Sequence, residues 1–122
     1  MTASQSPPEP VEGSALDVAR LDFAVAPTRV DGQTPVTVAG ELDHGSHAAL
    51  LHELSACIAA GRRRLLLDMS GVTFCDSTGL AVLVRLHKRA ETAGGTLVLR
   101  SPVPRVHNLL TLTCLTRLFS VE

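Results

Sequence analysis

The stretch that most constrains this chain runs from Arg64 to Arg89, Arg-Leu-Leu-Leu-Asp-Met-Ser-Gly-Val-Thr-Phe-Cys-Asp-Ser-Thr-Gly-Leu-Ala-Val-Leu-Val-Arg-Leu-His-Lys-Arg. Leu65, Leu66 and Leu67 form an unbroken apolar run, which predicts a strand buried on both faces, over residues 64–69. Beyond a short loop, Leu80, Leu83, Val84 and His87 recur at helical spacing while Arg85, Lys88 and Arg89 fall elsewhere on the wheel. The spacing predicts an amphipathic helix over 77–93, entered near Asp76. The junction Asp76-Ser77-Thr78-Gly79-Leu80 sets two hydroxyls and a glycine on the first turn of that helix. Backbone N–H groups there lack intrahelical partners, so the turn welcomes an anion.

The flanking sequence builds one domain around this unit. Residues 1–16, with Pro7, Pro8 and Pro10 among polar residues, have too little apolar content to pack and read as a flexible tail. The domain then spans 17–122. Leu21, Phe23 and Val25 alternate with Asp22, Ala24 and Ala26 as in a half-buried strand. Asp31-Gly32 supplies hairpin turn chemistry, and Thr34 to Gly40, with Val36 and Val38, is the partner strand. Ser46 is placed to cap a helix carrying Leu50, Leu51, Leu54 and Ile58 and ending at Gly61. After the helix over 77–93, Gly94-Gly95 is a stop and Thr96 to Arg100 a further buried strand. Ser101-Pro102-Val103-Pro104 opens a third helix with Val106, Leu109, Leu110 and Thr113 on one face, and residues 118–121 form a short last strand. The sum is an α/β fold, a single domain with a mixed β-sheet of four to five strands covered by helices, about 105 residues of it ordered. With 122 residues and 45% hydrophobic content, the chain has material for one core and hardly two.

Composition removes several classes of function. A net charge of −1, 2% aromatic residues and the lack of Trp and Tyr argue against a nucleic-acid binder. Arg62-Arg63-Arg64 is the one basic run and reads as a solvated loop ahead of a strand. No apolar run approaches the ~18 residues of a membrane span, and the N-terminus lacks the regions of a signal peptide, which points to a cytoplasmic protein without membrane insertion. Cys57, Cys75 and Cys114 show no Cys-x-x-Cys spacing, so reduced thiols are expected instead of a disulfide framework or a zinc site.

Catalytic readings of the junction fail on spacing. A nucleophile elbow around Ser77 needs a glycine where Cys75 stands, and Asp76 is one residue too far from Gly79 for an aspartic protease motif. No Gly-Lys-Ser/Thr phosphate loop occurs, and Gly94-Gly95 precedes a strand. His44, His47 and His52 lack a further ligand at suitable spacing for a metal. Neither an enzyme nor a cofactor is indicated. Asp76 by itself is an ordinary N-cap, but Gly79 costs a helix about 1 kcal/mol relative to Ala and adds nothing to the cap. Its expected role is to clear space over Ser77 for an approaching molecule.

Gly40-Glu41-Leu42-Asp43-His44, then Leu67-Asp68, then Val72-Thr73-Phe74-Cys75-Asp76-Ser77-Thr78-Gly79-Leu80, Ala93-Gly94-Gly95, Ser101-Pro102 and Val106 to Leu115 resemble, in order and spacing, the bacterial anti-sigma factor antagonists of the STAS domain family. The resemblance covers about residues 20–122, and it implies a partner switch. Unphosphorylated family members bind an anti-sigma factor that is also a serine kinase and so free a sigma factor for transcription. The kinase phosphorylates the first hydroxyl residue after the motif aspartate, and a serine phosphatase resets it. That residue here is Ser77, with Thr78 the runner-up. Asp43 would lie near Ser77 and join Asp76, Ser77, Thr78 and Gly79 in the partner contact, with Asp76 orienting the acceptor. The chain departs from the family where Cys114 stands at a helix-terminating position usually held by glycine, and it ends at Glu122 where many relatives continue into another helix. Two other readings are a STAS accessory or scaffold subunit without a phosphorylation cycle, and a nucleotide or anion binder using the Gly40–His44 and Cys75–Gly79 loops.

Overall fold

The computed structural model of the chain describes residues 21–122; the tail expected over 1–16 lies outside them. An initial hairpin, β1 (Leu21–Val25) and β2 (Thr34–Leu42), is followed by α1 (His47–Ala59), β3 (Arg64–Cys75), α2 (Ser77–Thr92), β4 (Thr96–Arg100), α3 (Pro104–Leu112), a 3₁₀ turn (Leu115–Arg117) and β5 (Ser120–Val121). The five strands form one mixed sheet in chain order. β1 pairs antiparallel with β2, and every later neighbour pairs parallel across a helical crossover.

The hairpin forms because Asp31 and Gly32 both take left-handed conformations, φ 52° and 79°, in the primed turn whose twist suits antiparallel strands. Val30 N–H donates to Gln33 O at 2.8 Å, and Gln33 N–H returns a bond to Val30 O at 3.0 Å. Leu65, Leu67, Leu97 and Leu99 on one sheet face meet Leu50, Leu54 and Ile58 of α1, Leu83, Leu86 and Ala90 of α2 and Val106 and Leu110 of α3 in one cluster. Leu66 and Val98, facing the other way by strand alternation, are also buried, at 8% exposure each. The central leucine run is therefore buried on both faces, as its sequence implies.

Several sequence expectations need correction. β3 does not end near residue 69 but continues to Cys75, paired only with β2 once β4 has stopped at the Asp68–Arg100 pair. Ser70, Gly71 and Thr73 interrupt the apolar run, and register shifts between Thr37 and Ala39 and between Gly40 and Glu41 absorb the interruption. The buried stripe of α2 runs through Gly79, Leu80, Val82, Leu83, Leu86 and Ala90. Val84 is only half-buried, and His87 lies at the margin of the stripe with its ring edge-on to Phe119, centroids 5.6 Å apart. Arg85, Lys88 and Arg89 are exposed as expected.

The arginine run is not simply solvated. Arg62 donates to the carbonyl of Ala26, and Arg63 Nη1 donates to Ala93 O at 3.2 Å, tying the loop to the hairpin and to the end of α2. At the C-terminal end, Thr113 is exposed and the last strand contracts to Ser120–Val121, with Phe119 buried just ahead of it. Cys114 adopts φ 62°, so the left-handed corner that usually takes glycine is kept here with a cysteine in it.

Gly79 also has a different role from the one expected. It faces inward, where an added Cβ would sit 2.4 Å from Leu42 O and 3.0 Å from Cys75 Sγ. The glycine therefore lets α2 pack directly on the ends of β2 and β3, and it is not open space over Ser77.

Leu83→Ala should cost about 2 to 5 kcal/mol in urea denaturation, as truncation of fully buried leucines does. Val84→Ala should cost much less. Gly79→Leu, which meets backbone, should lose the native urea transition; a Gly79→Leu protein of unchanged stability would show the α2 packing to be wrong.

Candidate functional site

The β2–β3 register delivers the two motif loops to one place. Leu42 pairs with Cys75 at the last rung, and the next residue, Asp76, donates its N–H to Leu42 O at 3.3 Å. The loop after β2 and the entrance of α2 therefore emerge side by side.

Asp76 joins them. It holds an extended conformation, φ −104° and ψ −174°, suited to an N-cap. One carboxylate oxygen accepts Gly79 N–H at 2.9 Å, and the other accepts His44 N–H at 3.2 Å. The Gly79 amide is the largest cause holding this carboxyl below its ordinary 3.8; desolvation opposes it, and the amides of His44 and Thr78 and the His44 ring add to it. Asp76 is thus ionised near neutral pH and clasps two chain segments with one side chain.

Asp43 shapes the facing loop. It is 7% exposed, and its Oδ1 accepts Gly45 N–H at 2.9 Å and lies 3.2 Å from the Ser46 hydroxyl oxygen. Its carbonyl accepts the N–H groups of Ser46 and His47, at 3.1 and 3.0 Å, and so starts α1. Ser46 occupies the N-cap position, but its hydroxyl makes no capping bond. It turns back to donate to Glu41 O at 2.6 Å and accepts Asp43 N–H at 3.0 Å. Asp43 and Ser46 close a turn on themselves, so the expected side-chain cap is replaced by a folded loop.

The two hydroxyls of the junction differ in access. Ser77, the first residue of α2, is exposed, whereas Thr78 is half-buried and Gly79 buried. Cys75 is not a nucleophile in this setting. Burial first, and the Asp76 charge second, push its thiol up to about 12, and Sγ donates to Asp76 O at 3.6 Å. The rings of His44 and His47 stack with centroids 5.9 Å apart, and among the described residues no three His, Cys, Asp or Glu side chains group as a metal site. Nor is any described helix long and apolar enough to cross a membrane.

Two features escaped the sequence reading. Phe74 is 40% exposed beside the junction, an aromatic of the type that anchors interfaces. Its signal was present, since Phe is one of only three in the chain and adjoins the motif. The main-chain N–H of His44 as a ligand of Asp76 had no sequence signal, because a backbone donor carries no residue preference.

Comparisons with known proteins agree with this architecture. The family model described as "Mlab, STAS domain" matches residues 25–120. BtrV of Bordetella bronchiseptica, a candidate anti-sigma factor antagonist, is 27% identical over 93 residues, covering 76% of this chain and 80% of its own. The crystal structure of an anti-sigma factor antagonist from Mycobacterium paratuberculosis is 28% identical, with a TM-score of 0.69 over 86% of this chain and 87% of that one. The Bacillus cell fate determinant SpoIIAA in its phosphorylated form shares the fold at 19% identity, with a TM-score of 0.65 over 83% of this chain and 91% of that one. A family match that runs from the end of β1 to the start of β5 takes in the whole clasp around Asp76, and on it the chain belongs to the STAS domain family.

Proposed function

We propose that this protein is an anti-sigma factor antagonist: unphosphorylated, it binds an anti-sigma factor with serine kinase activity and so frees a sigma factor for transcription. Phosphorylation at Ser77 switches it off, and a serine phosphatase restores it. One observation carries the reading: Ser77 stands exposed on the first turn of α2, held there by the Asp76 clasp, in a STAS chain similar to anti-sigma factor antagonists. That SpoIIAA, of the same fold, has been solved phosphorylated supports a switch of this kind.

The local physics suits both states. The hydroxyl has no hydrogen-bond partner among the described residues and is open to a kinase. A phosphate would gain from the helix dipole and the free amides of the first turn, and would be repelled by Asp76 next to it. It adds about two negative charges, which cost several kcal/mol at the centre of an interface that gives them no cationic partner. That is enough to turn a tight complex into a weak one. Asp76 and Thr78 form the rest of the contact surface, with Phe74 at its edge, and Asp43, itself buried, contributes by shaping the loop beside them. Gly79, being buried, acts by letting α2 pack and not by touching the partner.

Ser77→Ala should bind the anti-sigma factor constitutively and release sigma, while Ser77→Glu should bind poorly with an unchanged urea transition. Glutamate carries one charge and not two, so its effect should be smaller than that of phosphate. Equal affinity of the two variants for the same partner would overturn the switch. Intact mass and peptide mapping after incubation with the kinase and ATP should place the phosphate on Ser77, and undiminished phosphate in Ser77→Ala would overturn the assignment.

Asp76→Ala should remove the clasp and cost about 1 kcal/mol near neutral pH. The folded carboxyl titrates below its unfolded value, so its contribution is fully present above 3.8 and is lost as pH falls through the lower folded value. Urea denaturation of the two proteins should therefore show a gap that is widest near neutral pH and closes at the acid end. A gap unchanged by acid would mean that the Asp76 charge does not hold the loop.

A further inference from the structure

The end of the domain opposite Ser77 is cationic. A pocket of about 200 Å³ there is lined by Arg29, Gly32, Gly61, Arg63 and Arg64. Arg29 and Gly32 belong to the β1–β2 hairpin, and the other three to the passage from α1 into β3. Arg64 opens β3 and Cys75 closes it, so the pocket lies about eleven strand steps, roughly 35 Å, from the Ser77 junction.

No carboxylate lines this pocket, and among the described residues none of its three arginines is in an ion pair. Two of them are steadied by neutral groups. Arg29 Nη2 donates to Gly61 O at 3.4 Å and Arg63 Nη1 to Ala93 O at 3.2 Å. A carbonyl orients a guanidinium without cancelling its charge, and each guanidinium has five N–H donors, so most of them stay available. The neighbouring Arg62 donates to the carbonyl of Ala26, which ties the hairpin to the loop that carries the other arginines. Glycine forms the remaining wall at both Gly32 and Gly61. Neither has any atom within 4 Å of an added Cβ, so the space beside them is open.

We infer that this three-arginine pocket is a binding site for the phosphate group of a phosphorylated ligand. A space the size of one or two phosphates, lined by three arginines and no carboxylate, suits charge-assisted recognition of phosphate oxygens. The Ser77 loops are a poorer anion site than their sequence implied, because Asp43 and Asp76 bring two carboxylates there. The site is independent of the Ser77 switch.

Isothermal titration of the chain with inorganic pyrophosphate at low salt tests the free-ligand form. Co-sedimentation with phosphatidylcholine vesicles containing phosphatidic acid tests the headgroup form. Arg64→Gln is the diagnostic variant because the Arg64 side chain makes no hydrogen bond among the described residues, and its fold can be checked by urea denaturation. It should weaken binding about tenfold, the loss expected for one charge-assisted contact. Arg85→Gln, which removes an exposed arginine of α2 remote from the pocket, should leave binding unchanged, and so should Ser77→Ala. An Arg64-dependent loss in either arm supports the site and identifies the source of its phosphate. Binding absent from both arms, or weakened equally by Arg64→Gln and Arg85→Gln, overturns it, whatever the Ser77 variants do with their partner.

Discussion

The Asp76 junction depends on the parallel pairing of β2 with β3. β4 supports only the first part of β3, up to Asp68, and the remaining seven residues are held on one edge by β2 alone. That extension carries the chain to Asp76 beside the loop that leaves β2. If the pairing slipped by one residue, every side chain in the extension would change face. The two register shifts thus set where the motif loops meet as much as they relieve the polar residues in β3.

The Asp76 clasp finishes what the pairing begins. One carboxylate satisfies a first-turn amide of α2 and an amide of the β2 loop, so the helix entrance and the facing loop are fixed to each other and not merely to the sheet. Gly79 belongs to the same device. With no side chain it lets the first turn of α2 close onto Leu42 and Cys75, at the ends of β2 and β3.

The elements whose identity follows from local sequence were legible without coordinates. The Asp31-Gly32 turn, the leucine strand, Thr96 to Arg100 and the capping role of Asp76 each rest on residues whose preference is strong and local. What was not legible depended on neighbours. The length of β3 is decided by β2 across from it, and the buried face of α2 is decided by α1 as well as by the sheet. His87 shows the second case: its spacing fits the stripe drawn through Leu80, Leu83 and Val84, but the buried face extends through Val82, Leu86 and Ala90 and leaves His87 at its margin. Ser46 shows a third case, in which a residue of high capping preference finds a better partner in its own preceding loop.

The same geometry decides how a charge at Ser77 would be read. Asp76, Gly79 and Leu80 are fixed by bonds and packing that do not involve the Ser77 side chain, which projects into solvent. A phosphate there would leave the β2–β3 pairing and the core untouched, so it has no packed element to displace within the domain. The change would lie in the surface potential and in the volume over the first turn of α2. Such a signal has to be read by a molecule that docks on that turn, and its strength is set by how completely docking excludes water from the added charge.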